Sequence, residues 1–262
     1  MRKGLVAAVL AFAVFLAPAA RGAEPPCAME EATPVEIAAV GADLDLLTQD
    51  GRRIALAGLE LPAEPFRARL RALLEARLAA GRLVFLSAPA APDRWGRLAG
   101  GLYVEGEGGE AALVFLAETL LREGLARFRP DPAAFPCRNS LLAAEAEARR
   151  SGLGLWSAGE YVVVDAGRPD RLKGRKGMVV VEGVVTGIGE AGGSLYLNFG
   201  PKRWADFAVV IWKRNLETFE REGLRPHLLS GRRVRVRGLI DTVHGPRMEL
   251  LAPAQMEIVG AP

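Results

Sequence analysis

The stretch Asp93-Arg94-Trp95-Gly96-Arg97-Leu98-Ala99 sets the reading of this chain, together with a series of downstream markers at set spacing. These are Leu120-Leu121-Arg122-Glu123-Gly124-Leu125-Ala126, then Cys137, then Ala144-Glu145-Ala146-Glu147-Ala148-Arg149, then Gly154-Leu155-Trp156. Around these markers, residues 82–87 and 100–104 read as strands, with a turn at 106–109. Residues 111–123 are amphipathic at helical spacing and stop at Gly124. A last helix runs to Ser151, capped by Asn139 or Ser140 and ended by Gly152.

Upstream, residues 35–61 alternate apolar and polar around Gln49-Asp50-Gly51, and Asp-Gly between such runs signals a hairpin. Residues 65–80 place Phe66, Leu70, Leu73, Leu74 and Leu78 at helical spacing; Arg67, Arg69, Arg71 and Arg77 are read as a solvated surface. Residues 24–34 form a polar lead. Residues 1–23 read as a secretory signal: Arg2 and Lys3, an apolar run too short to favour a membrane span, then small residues. The expectation is export across the inner membrane to the periplasm, with no membrane span in the mature chain.

The 34 basic and 31 acidic residues hide an asymmetry. Residues 24–165 carry 15 basic and 21 acidic side chains, whereas 166–262 carry 16 and 10. A polyanion is therefore drawn to the second half, unless the halves attract each other. In an oxidising compartment Cys27 and Cys137 most simply pair; two free thiols is the alternative. No Cys/His cluster suggests zinc, and no Ser-His-Asp set or glycine-rich phosphate loop stands out. His227 and His244 lie alone.

Residues 158–175 have linker composition, except the apolar run 161–164, which either closes the first domain or belongs to the connection. Beyond, strands are expected at 178–187, 194–199, 207–211, 232–239 and 248–251, with one helix near 212–222. Five strands and one helix suggest an OB-like barrel at 176–260. Tyr196-Leu197-Asn198-Phe199-Gly200, Asp206-Phe207 and the run from Gly231 to Gly238 resemble the OB-type module that follows some nuclease-like domains in exported bacterial proteins.

The marker series from Asp93 to Trp156 resembles the staphylococcal-nuclease-like family. The resemblance implies an OB barrel carrying helices at 35–157, so the fold class is mainly β with helices (α+β), two OB-type barrels in tandem. It also implies phosphodiester hydrolysis with a calcium ion held by aspartates, a glutamate that activates water, and two arginines on the phosphate. Arg97 fills one arginine slot. Ala55 fills the other. Glu60 replaces an aspartate, and Ala63 replaces the glutamate, with Glu64 one residue later. Asp43 and Asp45 fall one residue from the metal slots, and a one-residue shift in a strand turns side chains to the opposite face. The pattern suggests a fold kept for another use, with no resident cofactor, calcium being needed if the site is active.

Arg233, Arg235 and Arg237 alternate with valines, so their guanidinium groups share one strand face. Together with Tyr196, Lys202 and Arg203, and with Phe199 and Trp204 nearby, they are candidate nucleic-acid contacts. The alternative is a solvated strand face with the aromatics in the core. The sequence thus favours an exported binding protein with a degenerate nuclease-like domain, holding single-stranded nucleic acid or an acidic protein on its second barrel. An active metal-dependent nuclease using Arg97 and Glu64 is one alternative, and an envelope protein-interaction module another.

Overall fold

The computed structural model describes residues 27, 32–79, 84–87, 91–105, 113–131, 136–243 and 245–260. The signal-like segment, the turn at 106–109 and His244 lie outside the described residues. No helix among the described residues is long and apolar enough to cross a membrane.

The first unit runs β1 (Thr33–Val35), β2 (Ile37–Val40), β3 (Leu46–Thr48), β4 (Arg53–Leu56), β5 (Leu59–Glu60), α1 (Phe66–Arg77), β6 (Val84–Ser87), β7 (Arg97–Glu105), β8 (Leu113–Phe115), α2 (Leu116–Arg122), β9 (Arg127–Phe128) and α3 (Arg138–Arg150). Its main sheet has the order β1-β6-β7-β4-β3-β2, with β8 also on β7, while β5 pairs with β9.

The Asp-Gly hairpin forms as expected between β3 and β4. Gly51 takes φ 83°, which costs glycine nothing. The Arg52 guanidinium, with Nε 2.8 Å from the Asp50 carboxylate, and then the Thr48 hydroxyl hold Asp50 down to a pKa of about 2. The folded pKa lies below the ordinary value, so these contacts support the turn above pH 3.8 and are lost as pH falls through about 2. An NMR titration should find Asp50 still ionised at about pH 3, where a free carboxyl is mostly protonated.

Helix α1 buries Leu70 and Leu74. Its arginines are not all solvated: Arg71 donates to the carbonyls of Val40, Gly41 and Ala42 at 3.0, 2.8 and 2.9 Å, fastening the β2–β3 turn. The helix expected from 111 begins only at Leu116. The apolar residues before it form β8, where Phe115 stacks on Tyr103 with centroids 5.1 Å apart. Gly124 has φ 67°, and a Cβ there would lie 2.3 Å from the Leu153 carbonyl oxygen. Neither Asn139 nor Ser140 caps α3; it starts after Cys137, and the Ser140 hydroxyl donates to the Cys137 carbonyl at 3.0 Å. Cys27 and Cys137 form the expected disulfide, with Cα atoms 5.4 Å apart.

The second unit runs β10 (Val164–Asp165), β11 (Val179–Val184), β12 (Gly187–Ala191), β13 (Ser194–Asn198), β14 (Ala208–Trp212), α4 (Lys213–Arg221), β15 (Arg233–Gly238), β16 (Ile240–Asp241), β17 (Arg247–Leu250) and β18 (Met256–Ile258). The segment read as linker is built into it: β10 pairs with β11, and Val164, Ala166 and Leu172 enter the second core. One sheet is β10-β11-β15-β18 and the other β12-β13-β14-β17-β16.

Both units repeat one device. Antiparallel β2-β3-β4 is joined through a parallel pairing to β7, and antiparallel β12-β13-β14 through a parallel pairing to β17. A helix comes after each set, α4 directly after β14 and α1 after the short β5 that follows β4. The whole is a mixed α+β protein, mainly strands, with four α-helices among the described residues.

Candidate functional sites

The resemblance directs attention first to Arg97 and the carboxylates. Arg97 opens β7, in parallel register beside Arg53 of β4. A reversal precedes it, in which Asp93 accepts the N–H groups of Trp95 and Arg97, both at 2.9 Å, and Gly96 takes φ 73°. The same carboxylate receives the Arg97 Nε and Nη2 at 3.1 and 3.0 Å. Hydrogen bonding to Asp93, and then the charge of Asp45, raise the Arg97 pKa despite partial desolvation. Desolvation opposes the Asp93 charge too, but the Arg97 N–H and guanidinium hold its pKa down.

Asp45 turns inward. Leu44 takes φ 63° just before it, and the Asp45 side chain is only 10% exposed. Its Oδ2 lies 2.7 Å from Arg53 Nη2 and its Oδ1 3.4 Å from Arg97 Nη1. Arg53 was not singled out in the sequence. Its signal was its place two residues before Ala55, on the same strand face. Asp43 does not join Asp45: it is 82% exposed and 4.0 Å from Arg67.

Glu60 faces elsewhere. Its Oε2 lies 2.5 Å from Arg127 Nη2, and its Oε1 accepts the Met178 N–H at 3.2 Å. Glu64 accepts the Ala68 N–H at 3.3 Å in the first turn of α1, and no described contact joins it to Arg97. Among the described residues no group of three or more His, Cys, Asp or Glu side chains could hold a metal. A calcium ion needs several convergent oxygens. Here both Asp45 oxygens face guanidinium groups, both Glu60 oxygens are engaged at the junction of the units, and Asp43 points out. The residues present do not fit the ion.

The arginine ladder of β15 is not an open face. Arg237 is fully buried, with Nη2 2.9 Å from Glu145 and 2.5 Å from Glu257, and Nη1 2.9 Å from the Phe128 carbonyl. Burial disfavours its charge, but Glu145 and Glu257 outweigh that and raise its pKa. Arg235 lies 2.6 Å from Glu182 and 3.4 Å from Glu257, and Arg233 3.4 Å from Glu182. Glu145 stands on α3 of the first unit, so this strand face meets the other unit. Trp156 and Ala148 pack on Val180 beside it. The expectation of three arginines offered to a nucleic acid is corrected for Arg237, which has no access to solvent.

Tyr196 and Arg203 belong to a different place. They line a groove of about 180 Å³ with Trp204, Asn198, Arg247 and Glu190, whose carboxylate pairs with Lys213 at 2.5 Å. Trp204 is 73% exposed. Gly245, at φ 93°, lets the turn before β17 lie against the Trp204 backbone, where a Cβ would come within 2.6 Å of its carbonyl oxygen. Arg247 pairs with Asp241 at 2.6 Å, whereas no described carboxylate pairs with Arg203. Lys202 is exposed beside the groove, its N–H bonded to Asp206 at 2.7 Å. Phe199 is in the core, packed on Phe207 at 5.1 Å.

With this geometry in view, residues 48–158 match the family model described as Staphylococcal nuclease homologue. The match covers the hairpin turn and β4, Arg97 and α1 to α3, and ends before the second unit. No curated protein matches the chain.

Proposed function

We propose that this is an exported binding protein in which a nuclease-like domain has lost its catalytic site and the second unit, an OB-type barrel, holds single-stranded nucleic acid. The observation that carries the reading is the groove of Tyr196, Arg203 and Trp204: an exposed indole beside a guanidinium that no described carboxylate neutralises. Aromatic faces stack on bases of any sequence, and a nearby cation follows the backbone. The repeated strand-and-helix device supports reading the second unit as a second OB-type barrel. Asp45 held between Arg53 and Arg97 supports the loss of catalysis. The Cys27–Cys137 disulfide supports export.

The test uses mature protein and fluorescent single-stranded DNA and RNA. No cleavage is expected, with calcium or with chelator. Binding by anisotropy should weaken about 5- to 150-fold in Trp204→Ala, from the ~1–3 kcal/mol that stacking contributes. Arg203→Ala should weaken binding and lower the salt slope by about one. Calcium-dependent cleavage that disappears in Arg97→Ala would overturn the degenerate reading in favour of an active nuclease. Oligonucleotide binding unchanged by Trp204→Ala would remove the groove from it. An acidic protein segment is the other ligand class that this cation suits, and it would compete with the oligonucleotide.

A further inference from the structure

We infer that the cleft between the two units is a binding site for a compact oxyanion of the phosphate class. It measures about 540 Å³, and its charged and polar lining comprises Glu60, Arg127, Glu160, Tyr161, Arg175 and Lys176. That size lies within the range of small-molecule pockets, roughly 300–1,000 Å³. The cleft shares no lining residue with the Trp204 groove and does not include Asp45 or Arg97, although Glu60 and Ala63, at the slots the resemblance gives to an aspartate and the glutamate, line it.

The charges do not cancel. Glu60 and Arg127 neutralise each other at 2.5 Å. Arg175 is fixed by carbonyl groups alone: its Nη1 donates to Glu160 at 2.6 Å, its Nε to Arg171 at 3.2 Å and its Nη2 to Gly159 at 3.3 Å. Carbonyl oxygens orient a guanidinium without removing its charge, so a full positive charge is set in the wall. Lys176 is exposed, and no described carboxylate pairs with it. Among the described lining residues, the carboxylate of Glu160, also exposed, is the opposing charge left.

Donors remain unspent around these cations. The Tyr161 hydroxyl accepts the Ala63 N–H at 3.1 Å, and its own proton meets no described acceptor. Its ring is held by Arg127 over one face at 5.0 Å and by the Phe66 ring at 5.9 Å, so the hydroxyl is pre-positioned. The N–H groups of Lys176 and Gly177 meet no acceptor among the described residues, in a turn bounded by Gly174 and Gly177 at φ 73° and 72°. A fixed guanidinium, a free ammonium, a phenol proton and two backbone N–H groups form a donor set for an oxyanion and offer little to a cation. The ligand touches both units, so its binding tightens their junction.

Calorimetry on the full mature chain, with inorganic phosphate and pyrophosphate as probes, tests this independently of nucleic-acid binding. Saturable pyrophosphate binding is expected. Lys176→Glu should weaken it at least tenfold and Tyr161→Phe several-fold, while Glu160→Gln should tighten it and Arg203→Ala should leave it unchanged. Each variant is checked for an unaltered melt without ligand. The inference is overturned if no saturable binding occurs at millimolar probe, if Lys176→Glu and Glu160→Gln bind as the parent does, or if Arg203→Ala abolishes binding.

Discussion

Arg237→Ala is expected to lower the melting temperature of the protein by roughly 6–20 °C, from a loss of about 3–5 kcal/mol. The size reflects the charge left behind. Arg237 and Glu145 are both without solvent access, and their side chains meet at 2.9 Å. Removing the guanidinium strands the Glu145 carboxylate with the Phe128 N–H at 2.8 Å and Arg149 at 3.4 Å. Arg149 is a weaker substitute, lying 3.4 Å from one Glu145 oxygen where Arg237 bonds both. Removing one member of a buried pair costs far more than the pair contributes net, because the orphaned charge cannot reach water. Arg233→Ala is the control. Arg233 is half exposed, and its pair with Glu182 is worth less than about 1 kcal/mol. If both variants melt within about 2 °C of the parent, the network does not hold the units together. A drop confined to Arg237→Ala, seen as one cooperative transition in calorimetry, identifies the pair as a strut between them.

That strut also marks how far the sequence could be read. Local signals were legible because their causes are local. Asp50-Gly51 sets a hairpin through backbone conformation, Gly124 ends a helix where no Cβ fits, and Leu70 and Leu74 repeat at helical spacing. The alternation of Arg233, Arg235 and Arg237 correctly put three guanidinium groups on one face. Whether that face meets water or another unit depends on α3, more than 80 residues away, and no local pattern carries it. The opposite charge of the halves was the visible trace of it. The helix start failed for a different reason. Leu113-Val114-Phe115 is apolar enough for either element, and pairing with β7 decides it.

The candidate site divides in the same way. Ala55 and Ala63 could be read from position alone as departures from the pattern the resemblance implies. The placement of the carboxylates could not. Asp45 turns inward because Leu44 adopts a left-handed conformation, which its side chain does not favour and its sequence does not announce. Glu60 is engaged by Arg127, its cross-strand neighbour within the matched region, and by Met178 of the second unit outside it. Trp204 and Arg203 were visible as an aromatic beside a basic pair. Their separation from the β15 arginines emerged only with the sheet order.

Cys27→Ser, Cys137→Ser or reduction of the disulfide is expected to cost about 2–5 kcal/mol. The bond links residues 110 apart in sequence, so in the unfolded chain it closes a long loop. In the chain-entropy account a loop of about 100 residues contributes nearly 5 kcal/mol, less whatever residual structure the unfolded state keeps. In the folded state it ties the lead to the start of α3, and the Tyr103 hydroxyl donates to the Cys27 carbonyl at the same point. Burial, and then Glu118, push the Tyr103 pKa up to about 12, so that hydroxyl keeps its proton at neutral pH. Melting curves with and without reductant measure the effect. The double serine variant should match the reduced protein, since both lack the same constraint. A melt insensitive to reductant, with the bond shown to be open, would mean that the lead is held by β1 on β6 alone and that the disulfide adds nothing to the fold. A large loss would mean that the native fold depends on an oxidising compartment, which ties the folding of this chain to its proposed export.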